Sequence, residues 1–428
     1  MNLTVIGTGY VGLIVGNCFA KQGHFVYCID NDKEKILKLN EGISPIFEKD
    51  LDELISYNLN FGNIKYLNDI NIGLSNSDII FLAVGTPSKD DGSCDLKFVD
   101  LALDNIISYY LENRFEDYKY IFIKSTVVVG TADYIKERLR KSGLDRIIVV
   151  SNPEFLREGS SVYDFLNPDR IIIGLDDILI HKNIIDSLYH YYIENNICEI
   201  LYMSNKSAEL SKYACNCFLA TKISFANEIA NLSKSLGANY EDVKKAMGSD
   251  SRISPKFLNA GPGYGGSCFP KDVRALINLG YPVDLIKKGY DVNENQKLKM
   301  FEMVDKYVNL NNFDKKVVIW GCTFKPGTDD IRESPSIKVV DNFLENGYEI
   351  MVHDPVGMEN FKLKYLDKLI YLNDKYDFRD FKILIIMVNW DEYYSVDLSK
   401  LKGVDVFDAF GILDENILDD RYYERIGR

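Results

Sequence analysis

The chain has 428 residues, 46% hydrophobic and 27% charged, proportions that build folded cores and exclude disorder as its main state. Its 50 Lys and Arg stand against 64 Asp and Glu, a net charge of −14, which argues against a nucleic-acid binder but leaves room for a local basic site that takes a phosphorylated small molecule. No apolar run reaches the ~18 residues of a membrane helix.

Val5 to Ala20 is mostly apolar, but no Lys or Arg precedes it, and glycines at 7, 9, 12 and 16 suit a turn better than a secretory signal. Short apolar runs follow at Leu3–Ile6, Phe25–Ile29, Ile79–Ala83, Ile121–Lys124, Ile147–Val150 and Ile171–Ile173, with amphipathic stretches between them. Runs without strict alternation are expected of parallel strands covered on both faces, so this part predicts a doubly wound α/β unit. From Asn205 to Leu236 there is no Gly or Pro, and Leu210, Ala214, Cys217, Phe218, Thr221, Phe225, Ile229, Leu232 and Leu236 recur at helical intervals. At 1.5 Å per residue such a helix runs about 48 Å, long enough to cross between domains. Shorter helical segments continue to residue 308. Strands return at Val317–Trp320, Glu349–Val352, Ile383–Val388 and Val404–Phe407, and Ser334-Pro335 marks a helix start. The expected architecture is α/β: two doubly wound Rossmann-like domains, 1–200 and 309–428, joined by a central helical region, 201–308, with one long helix.

Gly7-Thr8-Gly9-Tyr10-Val11-Gly12 fits GxGxxG after a strand, and the next strand ends at Asp30. The glycines allow a tight turn, approach of a pyrophosphate and close helix packing, while the acid suits ribose hydroxyls and repels a 2′-phosphate, so NAD is the expected cofactor. Gly85-Thr86-Pro87, Ser125-Thr126 and Asn152-Pro153-Glu154 also fall just past strand ends, where α/β sheets hold ligands. Glu154 and Glu158 are four apart, as are Lys212 and Asn216 on the long helix, the latter a plausible oxyanion site. Taken alone, either pair is better read as ordinary solvated side chains.

Gly261-Pro-Gly-Tyr-Gly-Gly-Ser-Cys-Phe-Pro-Lys-Asp272 is the most informative stretch. A loop so rich in glycine can pack its backbone against a ligand, and Cys268, beside Lys271 and a possible helix start, has the setting of a nucleophile. A lone Cys is more often a small buried hydrophobe. Cys215 and Cys217 point to different helix faces and read as packing. The eight cysteines are scattered with no CxxC pair and the four histidines are isolated, which points to reduced thiols, a cytoplasmic protein and no metal site. Lys325 and Arg332, like Arg252 and Lys256, stand in loops where they could hold phosphate oxygens.

Together GTGYVG, NPEFLREG, AELSKYACNCFLATKISFANE, GPGYGGSCFPKD and GCTFKPGTDDIRESP, in this order along nearly the whole chain, resemble the UDP-glucose/GDP-mannose dehydrogenases. The likeness is nearest to members acting on UDP-glucose, because the stretch from Arg252 to Asp272 is closest to theirs; GDP-mannose is the runner-up. The resemblance implies a four-electron oxidation of the C6 alcohol to the carboxylate with two NAD in succession. By it, Cys268 captures the aldehyde as a thiohemiacetal that becomes a thioester; Lys212 and Asn216 stabilise oxyanions; Asp272 and Thr126 handle protons through a water; and Glu154 or Glu158 serves hydrolysis. It also assigns Gly7, Gly9, Tyr10, Val11, Gly12, Asp30, Lys35, Thr86, Thr126, Lys271 and Arg332 to NAD. Glu154, Phe155, Leu156, Glu158, Lys212, Asn216, Arg252, Phe257, Leu258, Gly265 and Lys325 fall to the UDP-sugar. A homodimer is implied, with no nucleic-acid or membrane partner and a product that suits polysaccharide synthesis. Two other readings stay open: a one-step hydroxy-acid dehydrogenase, which leaves the Cys loop unexplained, and a non-catalytic NAD-sensing module.

Overall fold

The computed structural model describes residues 1–413 and 422–428. The chain forms two compact units, Met1–Ala214 and Cys215–Arg428.

The first unit holds strands β1 (Asn2–Ile6), β2 (Phe25–Ile29), β3 (Ile64–Leu67), β4 (Ile79–Leu82), β5 (Lys119–Ile123), β6 (Ile147–Ser151), β7 (Arg170–Gly174) and β8 (Glu199–Met203). They form one sheet in the order β3-β2-β1-β4-β5-β6-β7-β8. Pairing is parallel except between β6 and β7, which meet antiparallel at Ser151 and Gly174. The order reverses between β1 and β4, the switch point outside which an open α/β sheet holds its ligand. Side chains alternate between two cores: Val5, Phe81 and Phe122 pack on one face with Leu13 and Phe19, while Ile6, Ile80, Leu82, Ile121 and Ile123 pack on the other with Leu103 and Ile135. Burial on both faces explains why these strands read as continuous apolar runs. The helix Tyr10–Lys21 rests directly on β2 because Gly16 is small: a Cβ there would lie 2.4 Å from Cys28 Sγ.

The second unit holds β9 (Lys316–Trp320), β10 (Glu349–His353), β11 (Ile370–Tyr371), β12 (Ile383–Ile386), β13 (Asp405–Asp408) and β14 (Tyr423–Arg425). They form a parallel sheet in the order β11-β10-β9-β12-β13-β14, the same winding as the first six strands of the chain. The long helix spans Asn205–Leu236, as its periodicity predicts, and the helices Tyr240–Gly248, Phe269–Ile277 and Asp284–Asn311 follow before β9.

Most of the apolar stripe of the long helix does not face the core. Leu210, Phe218, Phe225, Leu232 and Leu236 are exposed, Phe218 at 66% and Leu236 at 74%, whereas Cys217, Ala220, Ser224, Ala226, Asn227, Ala230 and Ser233 are buried. Small residues let the helix pack closely, and apart from buried Tyr213 these large apolar residues are left outside. Among the described residues no helix is long and apolar enough to cross a membrane.

Candidate functional site

The first unit builds a dinucleotide turn from β1 and the helix that Gly9 caps. Gly7 has φ +95°, and a Cβ there would lie 2.8 Å from the Ala83 carbonyl oxygen; a Cβ on Gly12 would lie 1.8 Å from the Gly7 oxygen. Both positions therefore require glycine. Gly9 is different: a Cβ on it would meet nothing within 4 Å, so its bare face is open to an approaching ligand. Together with the free end of the helix, that open face fits a pyrophosphate. Asp30 Oδ2 accepts from Thr8 N–H (2.8 Å), the Thr8 hydroxyl (2.7 Å) and Lys35 Nζ (3.1 Å), and Oδ1 accepts from Asp32 N–H (3.0 Å). Burial pushes its carboxyl up, but these donors outweigh it and hold it below the usual range. A ribose hydroxyl would therefore share Asp30 with Thr8 and Lys35.

The loops after β4, β5 and β6 carry the next residues. Thr86 donates its hydroxyl to the Thr126 carbonyl (2.7 Å), fixing one loop against the other. Beyond Thr126, Glu209 of the long helix accepts Gly130 N–H (2.6 Å) and Ala132 N–H (2.8 Å), pinning the start of the helix Thr131–Lys141. Glu154 is buried after β6; it accepts Lys212 Nζ at 2.9 Å and Leu156 N–H at 2.6 Å. Burial pushes Glu154 up, yet Lys212, the Leu156 N–H and Lys124 hold its carboxyl below the usual range, so it is an anion in the interior. Lys212 is itself buried and lies 5.2 Å from the Phe155 ring centroid.

Lys124, which the sequence presents only as the end of a strand, joins this cluster. Its buried Nζ donates to Asn152 Oδ1 (2.9 Å), which also accepts the Tyr189 hydroxyl (2.6 Å). Burial pushes its ammonium down to about 8, with Glu154 opposing and Lys212 adding to the shift. A lysine depressed in the folded state contributes stability that is present above its ordinary 10.5 and is lost as the pH falls through about 8. Relative to Lys124→Met, the native protein is expected to gain about 2–3 kcal/mol of unfolding free energy between pH 7 and pH 10. Urea titrations of both proteins at the two pH values check this, and a constant difference would contradict it.

In the second unit Cys268 is half-buried and is the N-cap of the helix Phe269–Ile277, with Pro270 in its first turn. Its Sγ lies 3.6 Å from the Ser267 hydroxyl. Asp272, one turn on, is buried and accepts Asn216 Nδ2 (2.6 Å) and Lys271 Nζ (2.7 Å). At most positions of the glycine loop the space a Cβ would need is taken by the protein's own atoms. A Cβ on Gly265 would lie 2.2 Å from the Glu333 carbonyl oxygen, and one on Gly266 2.7 Å from the Phe324 ring. Gly263 and Gly261 meet Asn293 and Phe410 in the same way. Gly261 N–H donates to Asn227, Tyr264 N–H to Asn293, and Gln296 to the Gly261 carbonyl, so three buried amides on two helices hold the loop.

The predicted residues thus fall into sets. The first unit assembles Gly7, Gly9, Tyr10, Val11, Gly12, Asp30 and Lys35 around one turn, Thr86 with Thr126, and Glu154 with Lys212 and Phe155. The second assembles Cys268, Asp272, Asn216 and Lys271. Arg252 and Arg332 each pair with an acid two residues earlier in the chain. Arg252 forms a fork on Asp250 and its side chain is 87% exposed. Arg332 forms the same fork on Asp330. Lys325 Nζ lies over the Phe324 ring. Leu258 is buried and its carbonyl accepts Tyr240 OH, while Phe257 sits at φ +64°, a strained setting for an aromatic residue. Glu158 is half-buried and Leu156 lies between it and Glu154. The sequence does not single out Lys124, Glu48, Glu209 or the amides under the loop, because their partners lie far along the chain and leave no local pattern. Cys217 is buried and pushed up to about 12, by burial first and then by Asp272, as packing would have it.

Comparison with known proteins gives three family models in succession: the NAD binding domain of the UDP-glucose/GDP-mannose dehydrogenase family over residues 1–193, its central domain over 206–295, and its UDP binding domain over 318–415. A UDP-glucose 6-dehydrogenase of Rhizobium meliloti (strain 1021) is 40% identical over 410 residues, 94% of this chain and 92% of that protein. One from Rickettsia conorii is 41% identical over 436 residues, covering 100% of this chain and 98% of the relative. Among solved structures, a UDP-glucose dehydrogenase from the archaeon Pyrobaculum islandicum superposes with a TM-score of 0.91 at 34% identity, covering 100% of this chain and 97% of the other.

Proposed function

Because the chain belongs to the UDP-glucose/GDP-mannose dehydrogenase family, we propose that it oxidises UDP-glucose at C6 to UDP-glucuronate with NAD, through a thioester on Cys268. The relatives that share the whole length are UDP-glucose 6-dehydrogenases, which favours UDP-glucose over GDP-mannose and an enzyme over a sensor. The observation that carries the covalent route is the half-buried Cys268 at a helix start with buried Asp272 one turn later. An alcohol dehydrogenase that stops at the aldehyde has no use for such a thiol.

NAD supplies, when bound, the acceptor for the electron pair removed at each oxidation. Gly7, Gly9, Tyr10, Val11, Gly12, Asp30, Lys35, Thr86 and Thr126 of the first unit would hold it; Lys271 and Arg332 are assigned to it on family resemblance. By the family resemblance, Asp272 and Thr126 would handle the C6 hydroxyl proton through a water. Cys268 Sγ then bonds to the aldehyde carbon, and Lys212 with Asn216 stabilises the oxyanion. Removal of the second electron pair leaves the thioester. Water adds to the thioester carbon as Glu154 takes its proton, and the Sγ–C bond breaks to release carboxylate. Glu154 is preferred to Glu158 because it is buried, ionised and paired with Lys212. Phe155, Leu156, Glu158, Arg252, Phe257, Leu258, Gly265 and Lys325 are left to hold the sugar nucleotide. The scheme is tested by counting: UDP-glucose is expected to yield about two NADH per sugar oxidised, the ratio a covalent two-step route requires. One NADH with free aldehyde would remove the thioester.

The proposal includes a homodimer. The exposed Phe218, Phe225, Leu232 and Leu236 present an apolar stripe along one helix, larger than scattered surface residues would give. Mass measurement in solution is expected to show two chains, and one chain at micromolar concentration would defeat it. Boundaries at 1–200, 201–308 and 309–428 remain our division into NAD-binding, helical and UDP-binding parts. A reducing compartment such as the cytoplasm suits cysteines that form no disulfide among the described residues.

A further inference from the structure

The loop between β6 and the helix Ser161–Leu166 is held at two points. At its start Glu154 is fixed by Lys212 and by Leu156 N–H. At its end two side chains from far earlier in the chain converge. Glu48, in the irregular segment before the helix Leu51–Phe61, is buried, and it accepts Gly159 N–H on Oε2 (2.7 Å) and Ser161 N–H on Oε1 (2.8 Å). The Tyr10 hydroxyl accepts the same Gly159 N–H (3.1 Å) and meets the Ser161 hydroxyl at 3.2 Å. Tyr10 is also the first residue of the helix that Gly9 caps. The dinucleotide turn and the end of the 154–161 loop therefore share atoms.

We propose that Glu48 and Tyr10 are a positioning pair that ties the loop carrying Phe155, Leu156 and Glu158 to the dinucleotide turn, so that NAD occupancy and sugar-nucleotide binding are energetically coupled. This rests on the reading that those three residues meet the sugar nucleotide. A carboxylate taken out of water gains little stability from its hydrogen bonds once its desolvation is counted. What Glu48 does fix is geometry: Gly159, at φ +82°, and Ser161 are set by two atoms of one rigid group. The link through Tyr10 is weaker, with longer contacts, and a ligand at the turn that orders Tyr10 shifts the order of the loop. By linkage the effect is reciprocal: each ligand changes the affinity of the other by the same factor.

Two isosteric variants test the pair. In Glu48→Gln one acceptor oxygen becomes an NH2 group facing an N–H. UDP-glucose affinity and kcat/KM are expected to fall about tenfold, with kcat at saturation within about twofold, as loss of a positioning hydrogen bond gives. In native protein, calorimetry with NADH, which forms no product, is expected to show UDP-glucose affinity changed about three- to tenfold by the nucleotide. In Tyr10→Phe that factor is expected to fall to within twofold of unity. Amide hydrogen exchange over 157–161 supplies a readout independent of substrate and is expected to quicken in both variants. Unchanged exchange would overturn the pair itself. Faster exchange with UDP-glucose affinity untouched would overturn the assignment of this loop to the sugar nucleotide, and with it the proposed coupling. A native coupling factor of one, or the same factor in Tyr10→Phe, would leave Glu48 and Tyr10 as fold anchors only.

Discussion

Cys268→Ser is expected to bind UDP-glucose and NAD and to release no more than about two NADH per site before turnover stops, with the steady-state rate lowered by about three orders of magnitude. A thiol is partly ionised near neutral pH, and its anion attacks carbonyls readily; a serine hydroxyl needs a dedicated base to reach the same state. The adduct matters as much as the attack. A serine hemiacetal oxidised in place would be an ester, which hydrolyses more slowly than a thioester, so a trapped covalent species is expected by mass spectrometry. Position 268 is distinguished from the other thiols by its surroundings. Cys18, Cys28 and Cys322 are sealed, and burial pushes each thiol far up. Cys217 is buried as well and pushed up to about 12. Cys268 alone stands at the head of a helix after a glycine loop, half-buried, with Asp272 and Lys271 in the next turn. Turnover of the serine variant within about tenfold of native would mean that the sulfur is structural and that another group captures the aldehyde.

How much of this was readable in advance follows burial. The central strands β1, β2, β4, β5, β9, β10 and β12 are covered on both faces, so their sequences are plain apolar runs and their positions were legible to within two residues. β3, β8, β11 and β14 were not. β3 is only four residues long with an exposed Lys65 in it, β8 has no fully buried residue, and β11 and β14 are two and three residues long. At the ends of a sheet one side of the strand has no neighbour to demand hydrophobic surface. The long helix was legible as a period but not as an orientation, because periodicity marks a stripe without saying whether core or solvent receives it. Small residues, which carry almost no hydropathy signal, took the buried side. Cys268, Lys212 and Glu154 stand out as candidates in the sequence because their neighbours form motifs. Glu48 and Lys124 act on residues 111 and 28 positions away, and no local pattern announces such a partner. Glycine-richness likewise predicted close approach around 261–266 but not what approaches, which is the backbone of Glu333 and the ring of Phe324.

The second large effect is expected from Lys212→Met. Methionine keeps the unbranched stem, one atom shorter, and removes the charge, so the loss reads chemistry before packing. Losing one preorganised donor to an oxyanion costs about 10²–10³ in kcat. A further consequence follows from Glu154. In native protein its burial is outweighed by Lys212 first and by the Leu156 N–H and Lys124 after it, and the carboxyl stays ionised through neutral pH. Removing Lys212 removes the largest of those opposing effects, and burial then drives the carboxyl upward. A protonated Glu154 accepts no proton from the water that attacks the thioester. Hydrolysis in the variant is therefore expected to slow as the pH falls, with acyl-enzyme accumulating below neutrality and draining when the pH is raised. The two losses separate experimentally: the oxyanion deficit lowers the first burst of NADH at every pH, while the Glu154 deficit appears only in the later steady state and only at the acid end. A variant whose steady-state rate follows the native pH profile would detach Glu154 from hydrolysis. One whose burst is as fast as native would detach Lys212 from the oxyanion, leaving the pair at 2.9 Å as an ion bridge that serves the fold.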